Sequence, residues 1–288
     1  MVPFAEVRAI WMATRAAPFF LPPLFCLLFA CSGGDDRENA PSSRETVDDA
    51  VSSVESSPVH PSPHRYEVIS FEDAGALTGT VRLSATVAPL TGIPVLKDQS
   101  VCGTHSPNPS LELGTGNGVA NVIVSLVGVT QGKPMEQLPA PAKLDQVGCL
   151  YVPHVQIVPL GSTLDIANSD PILHNVHAYL NRTETVFNLA MPLRGYRIRR
   201  RLDQPGLMSL KCDAGHTWMS GYIMVQEHPY YALTVADGSY SIEDVPVGKY
   251  VLKLWHEFLG ETEVPVEIES DTTSTVDLEL NAPALDPS

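Results

Sequence analysis

From Tyr66 onward, apolar and polar positions alternate in short runs separated by turn residues. Strict alternation puts successive side chains on opposite faces of an extended strand. "LTGTVRLSATV" (77–87) alternates in this way, and "GVANVIVSLVGV" (118–129) is a nearly continuous apolar run, as in a buried strand. "HVQIVPLGSTLDIAN" (154–168) reads as two strands around a Gly turn. "YRIRRRL", "GLMSLKC" and "SGYIMVQ" follow as further short strands before residue 227. "YYALTVADGSYSIEDVPVGKYVLKLWHE" (230–257) reads strand, Asp-Gly turn, strand, Pro-Gly turn, strand. No 3.6-residue period persists, so helix is expected only as a turn or two within 131–147 or 182–194. Short strands at this spacing predict an all-β chain built of sandwiches.

The pattern changes sharply before Tyr66. Arg8 and Arg15 precede an apolar stretch, Ala16 to Ala30, that ends in "LLFAC". This reads as a secretory signal over residues 1–31 closing in a lipobox, with Cys31 as the lipidated residue. Pro18, Pro22 and Pro23 break the stretch, which is also short for a membrane-spanning helix. Residues 32–75 are expected to act as a tether. Up to His64 they are rich in Ser, Asp, Glu and Pro and hold too few large apolar side chains to offset the entropy of ordering. His60 and His64 lie in this tether. Ser32 after the cysteine favours an outer-membrane address, facing the periplasm or the cell surface.

The candidate chemistry sits in one loop. "CDAGHTWM" places a thiolate, an imidazole and a thioether together as Cys212, His216 and Met219. "NSDPILHNVHAY" supplies His174 after a strand-like run. Two imidazoles, one thiolate and a weak thioether are the ligand set of a mononuclear electron-transfer copper site. Soft sulfur donors favour Cu(I), and imidazoles accept Cu(II) as well. The Cys-x3-His-x2-Met spacing leaves the role of Met219 open. The same spacing resembles the second half of the binuclear copper loop of cytochrome oxidase subunit II. The second cysteine that loop carries four residues earlier is Met208 here, which argues against a binuclear site.

These residues resemble the cupredoxin family, plastocyanin and its relatives. There the first histidine is followed by Asn, as in "HNV" (174–176), and the remaining ligands share one late loop. The resemblance implies a Greek-key β-sandwich over residues 140–226 and a type 1-like copper site held by His174, Cys212, His216 and Met219. It also implies a separate redox protein, such as a cytochrome, as partner. "ADGSYSIEDVPVGKYVLKLWHE" resembles a different family, the carboxypeptidase-regulatory-like, transthyretin-like β-sandwich. Its two opening strands would then lie far upstream, around Gly79-Thr80-Val81 and Ala120–Val124. The expected architecture is a discontinuous sandwich of residues 76–130 and 227–282 with the cupredoxin set between. A tandem arrangement, in which 76–130 extends the cupredoxin, is the alternative.

The chain has five cysteines. Cys26 leaves with the signal, Cys31 takes lipid and Cys212 is a ligand candidate. Cys102 and Cys149 remain as an even pair in an oxidising compartment, expected as a disulfide that staples the inserted domain to the outer sandwich. The alternative is two free thiols, or one of them binding metal with His105 or His154. His177, three residues past His174, points to the opposite strand face and is expected on the surface or behind a ligand. His154 and His228 flank turns, and His256 shares strand parity with Leu252 and Leu254, toward a core or a domain interface. Arg194, Arg197, Arg199, Arg200 and Arg201 read as a solvated edge strand or as a docking stripe for an acidic partner.

A formal net charge of −15 argues against nucleic-acid binding and against electrostatic adhesion to anionic lipid. It suits a body attached through covalent lipid. No serine–histidine–acid order, paired catalytic carboxylates or phosphate-binding Gly loop is present, so no enzyme activity is expected. Copper storage, delivery or sensing is the competing reading, and a non-redox interaction module is the third.

Overall fold

The computed structural model describes residues 66–84, 87, 90–136 and 140–282. The signal, Cys31 and the tether up to residue 65 lie outside the described residues. What is described is all-β apart from a four-residue helix, Gln99–Cys102, and a short 3-10 turn, Thr115–Asn117. Segment 184–191, where helix was possible on sequence grounds, is instead a strand, Glu184–Met191. Pairing with the strand His174–Leu180 outweighs its weak helical pattern. Within 131–147 the described residues form strands Gln131–Gly132 and Ala142–Val147.

Two sandwiches account for the cores. In the first, one sheet orders Arg197–Arg201, Thr163–Asn168, Ala142–Val147 and Leu150–Val152 side by side. The other orders Glu184–Met191, His174–Leu180, Gly206–Lys211, Ser220–Gln226 and Val155–Pro159. Leu144, Leu164 and Ile166 from one sheet meet Val176, Met208, Leu210 and Ile223 from the other in one buried cluster. We call this the inner sandwich.

The second sandwich is built from both ends of the described chain. Ala74–Leu83 pairs with Ser239–Pro246, Thr273–Thr275 and Leu278–Leu280. Ile123–Val127 pairs with Tyr231–Leu233 and with Gly248–His256, which pairs in turn with Gly260–Ile268. Leu77, Val81, Val124, Leu126, Leu252 and Leu254 fill its core. The alternation read from the sequence is literal here: Ala74–Leu83 runs half-buried, buried, in strict order. The Asp237-Gly238 turn joins its strands, with Gly238 at φ 81°, where a Cβ would collide with the Val81 carbonyl. Pairing begins earlier than residue 76, because Glu67–Val68 already lies parallel to Gln131–Gly132.

Ile123, Val155 and Trp255 form a third, smaller cluster where the two sandwiches meet. His154 contributes there too, with one ring nitrogen on the Ser220 carbonyl and the other on Glu257 of the outer sandwich. Residues 93–106 do not belong to the outer core. Val95 is buried in the inner sandwich, and Ile93, Val101 and Cys102 pack against that same core. This strap, two short strands around the helix Gln99–Cys102, therefore lies on the inner sandwich.

Candidate metal centre

Strand register brings the candidate ligands together. In His174–Leu180, buried and half-buried residues alternate, and His174, Val176 and Ala178 all face the core. The neighbouring strand Gly206–Lys211 runs antiparallel with Lys211 opposite His177. The chain therefore leaves that strand at Cys212 alongside the start of the histidine strand. The Asp213 N–H donates to Asn175 Oδ1 at 3.2 Å and pins the crossing. The loop then turns through Gly215, at φ 95°, so that His216 folds back over Cys212.

The result is a closed cluster of three donors. Nδ1 of His174 lies 3.0 Å from Nδ1 of His216. Cys212 Sγ is 3.5 Å from His216 Nδ1 and 4.0 Å from His174 Nδ1. Both imidazoles are completely buried and Cys212 is 5 % exposed. Two imidazole nitrogens and a sulfur converging in a dry space are chemically suited to a copper ion. Burial pushes the Cys212 thiol above its ordinary range, while backbone hydrogen bonds at Ala214, Asn175 and His216 pull it down. Burial also holds the His174 imidazole below its usual value, against the raising effect of its hydrogen bond to Asp170. A neutral imidazole is the state that binds metal.

Met219 is buried as well, and its N–H donates to the His216 carbonyl at 2.9 Å, closing the loop's last turn. Trp218 lies beside the cluster, its ring centroid 5.2 Å from that of His216. Its indole N–H donates to the Cys149 carbonyl at 3.1 Å. Cys102 and Cys149 are joined in a disulfide with a Cα–Cα distance of 5.4 Å. Because the strap packs on the inner core, the bond fastens it there and does not staple the inner sandwich to the outer one. Neither sulfur is thus free to bind metal with His105 or His154. The grouping of Cys149, Asp170 and His174 has its only sulfur in that bond.

Two aspartates join the cluster that ligand spacing alone did not reveal. Asp170 Oδ2 lies 2.9 Å from His174 Nε2, and Asp98 Oδ2 lies 2.8 Å from His216 Nε2. Asp170 stands four residues before His174, a closeness readable in "DPILH". Asp98 is 118 residues from His216, and nothing local in the sequence links the two.

The other histidines lie elsewhere. His177 points away from the cluster, bonded to Asp213 at 2.6 Å and Thr185 at 2.9 Å and stacked on Tyr179. His228 Nδ1 accepts the Tyr230 N–H, and His256 Nδ1 accepts the N–H groups of Phe258 and Leu259. The arginine strand is a sheet edge. Arg197 pairs with Asp165 at 2.7 Å, Arg201 with Asp203 at 2.6 Å, and Arg200 lies over the Phe187 ring.

No protein-family model matches the chain, and no curated protein matches it. Solved structures do. One is a Cu-containing nitrite reductase from Thermus scotoductus SA-01, 26% identical over 33% of this chain at a TM-score of 0.27. The match spans about a quarter of that enzyme's length, 24%. A purple cupredoxin from Nitrosopumilus maritimus matches at 21% identity and a TM-score of 0.26, over 30% of this chain and 99% of its own. The reduced Cu(I) form of an amicyanin variant matches at 18% identity and 0.27, over 36% and 98%. Each of these likenesses covers about a third of this chain.

Proposed function

We propose that this protein binds one copper ion and carries single electrons. The observation that carries the reading is the convergence of His174 Nδ1, His216 Nδ1 and Cys212 Sγ within 4.8 Å of one another, all buried. When bound, copper would supply the one-electron couple between Cu(I) and Cu(II). The chain supplies the thiolate of Cys212, the two neutral imidazoles and a shell that excludes water. Met219 would add a weak thioether donor that tunes the centre without holding it. Met219→Leu should therefore retain a coloured site and raise its reduction potential.

Burial favours electron transfer over storage or delivery, because a metal that must be handed on needs an exposed ligand edge. His174 and His216 have none. The protein exchanges electrons with a partner, such as a cytochrome, and transforms no substrate of its own. Lipid at Cys31 would hold it in the bacterial envelope, on the outer membrane facing the periplasm or at the cell surface. The two-ended outer sandwich, transthyretin-like in its turn motifs, would carry the copper domain as an insertion.

Adding Cu(II) to the full chain tests the reading. An intense visible thiolate-to-copper band with narrow parallel hyperfine splitting is expected. Colourless, readily chelated copper would overturn electron transfer in favour of delivery.

A further inference from the structure

Each imidazole of the cluster has two nitrogens with different surroundings. The Nδ1 atoms face each other and Cys212, and the Nε2 atoms face carboxylates. We propose that Asp98 and Asp170 are positioning residues of the copper centre, fixing both imidazoles as Nε2–H tautomers and stabilising the oxidised metal, with Asp98 delivered by the disulfide-stapled strap. The metal half of this inference rests on the copper reading above; the tautomer half does not.

An ionised carboxylate only accepts hydrogen bonds. A neutral imidazole 2.9 Å or 2.8 Å from one must carry its proton on the near nitrogen, which leaves the Nδ1 lone pair aimed into the cluster. A carboxylate behind a metal-bound imidazole also makes the ring a stronger donor. That effect, together with the negative charge itself, favours Cu(II) over Cu(I). Here both histidines have such a partner.

The two aspartates are held by different means. Asp170 is built into the sandwich: it is 6 % exposed and accepts the N–H groups of Gly148 at 2.9 Å and Cys149 at 2.8 Å. Its own N–H donates to the buried Asn168 side chain. Asp98 comes from far away in sequence and its side chain is about a third exposed, at 35%. The strap's other contacts supply its precision. Val95 is buried in the inner core, Lys97 Nζ donates to the Ala214 carbonyl at 2.5 Å, and Cys102 is bonded to Cys149. Lys97 also lies against the ligand loop, where a Cβ on Gly215 would come within 3.1 Å of its Cδ. Asp98 itself adopts the left-handed conformation, φ 52°, at the start of the helix Gln99–Cys102. The disulfide acts through Asp98: it closes the outward edge of His216.

Two measurements test this. The first needs no metal. In 15N spectra of the metal-free full chain, His216 and His174 should each carry a proton on Nε2, whatever proton the facing Nδ1 atoms share across 3.0 Å. Asp98→Ala should weaken this preference at His216 alone, and Asp98→Asn, whose amide oxygen still accepts, should restore it. A wild-type His216 whose Nε2 carries no proton would overturn the proposal while leaving the copper reading intact. The second is the reduction potential of the copper-loaded chain. It should rise in Asp98→Ala and less in Asp98→Asn. It should rise in Cys102→Ser/Cys149→Ser, with no further rise when Asp98→Ala is added. A potential and EPR spectrum identical to wild type in Asp98→Ala would refute the role in tuning. A wild-type chain that forms no coloured centre would sink the copper reading and the tuning together.

Discussion

The two sandwiches use the same β-sheet alternation for different ends. The outer one is filled almost entirely by aliphatic and tyrosine side chains: Leu77, Val81, Val124, Leu126, Tyr240, Leu252 and Leu254 among them. The inner one buries His174, His216, Asp170, Asn168 and Gln146 at or near one end of an otherwise similar core. Buried polar groups cost stability unless every one is partnered. The inner sandwich meets that condition for most of these groups through an extended network. Asn168 donates to the Ile172 and Met191 carbonyls and accepts from Asp170, which in turn holds His174. Even so, Gln146 Oε1 has no partner among the described residues. One sandwich is optimised for cohesion, and the other accepts a polar end, tied down by a disulfide, to hold a reactive cluster.

The largest expected effect separates chemistry from cohesion. Cys212→Ser should abolish the thiolate-to-copper band while the metal-free chain still unfolds cooperatively; a surviving band would remove Cys212 from the centre. Next is the tie itself. The disulfide closes a 47-residue separation, so in the chain-entropy model its loss should cost about 4 kcal/mol. Hydrogen exchange in Cys102→Ser/Cys149→Ser should rise first in the inner sandwich, around His216 and the strap. Uniform loosening of both sandwiches would show that the strap does not belong to one of them. Thiol counting on denatured metal-free chain lacking Cys26 and Cys31 should find one free group.

Leu252→Ala is the converse experiment. Leu252 is fully buried in the outer core, and its truncation should cost about 2–5 kcal/mol in chemical unfolding and leave the copper spectrum unchanged. A spectral shift would show that the cohesive sandwich sets the geometry of the reactive one.

The smallest effect is a pH dependence in the outer sandwich. Burial holds His256 down at about 4, with Glu257 opposing and His154 adding to the shift. Its folded value lies below the unfolded one of about 6.5. The unfolded chain therefore binds more protons in that window, and stability rises with pH. The His256 contribution should fall as pH drops from about 6.5 through about 4, a loss of about 3 kcal/mol when complete. Comparing unfolding of wild type and His256→Gln between pH 7 and pH 4 isolates it; parallel curves would refute the assignment.

Much of this was written in the sequence. Alternation in 77–83 and the apolar run at 118–129 announced strands, because strand faces have a period of two whatever surrounds them. Cys212, His216 and Met219 fall within eight residues, so a short loop must keep them close, and their donor types suit the copper proposed here. The opposite facing of His177 followed from the same parity. The carboxylate on His216 was not legible in this way. Nothing local links Asp98 to a residue 118 positions on, nor assigns residues 93–106 to the inner core when the strands on either side serve the outer one. Local pattern thus determined element type and the donor types gathered in one loop, which depend on neighbours along the chain. Which strands pair, where the strap lies and which carboxylates meet the histidines were decided by tertiary packing. Those contacts close loops of a hundred residues, and they form only when the burial of both cores together outweighs the entropy of closing them.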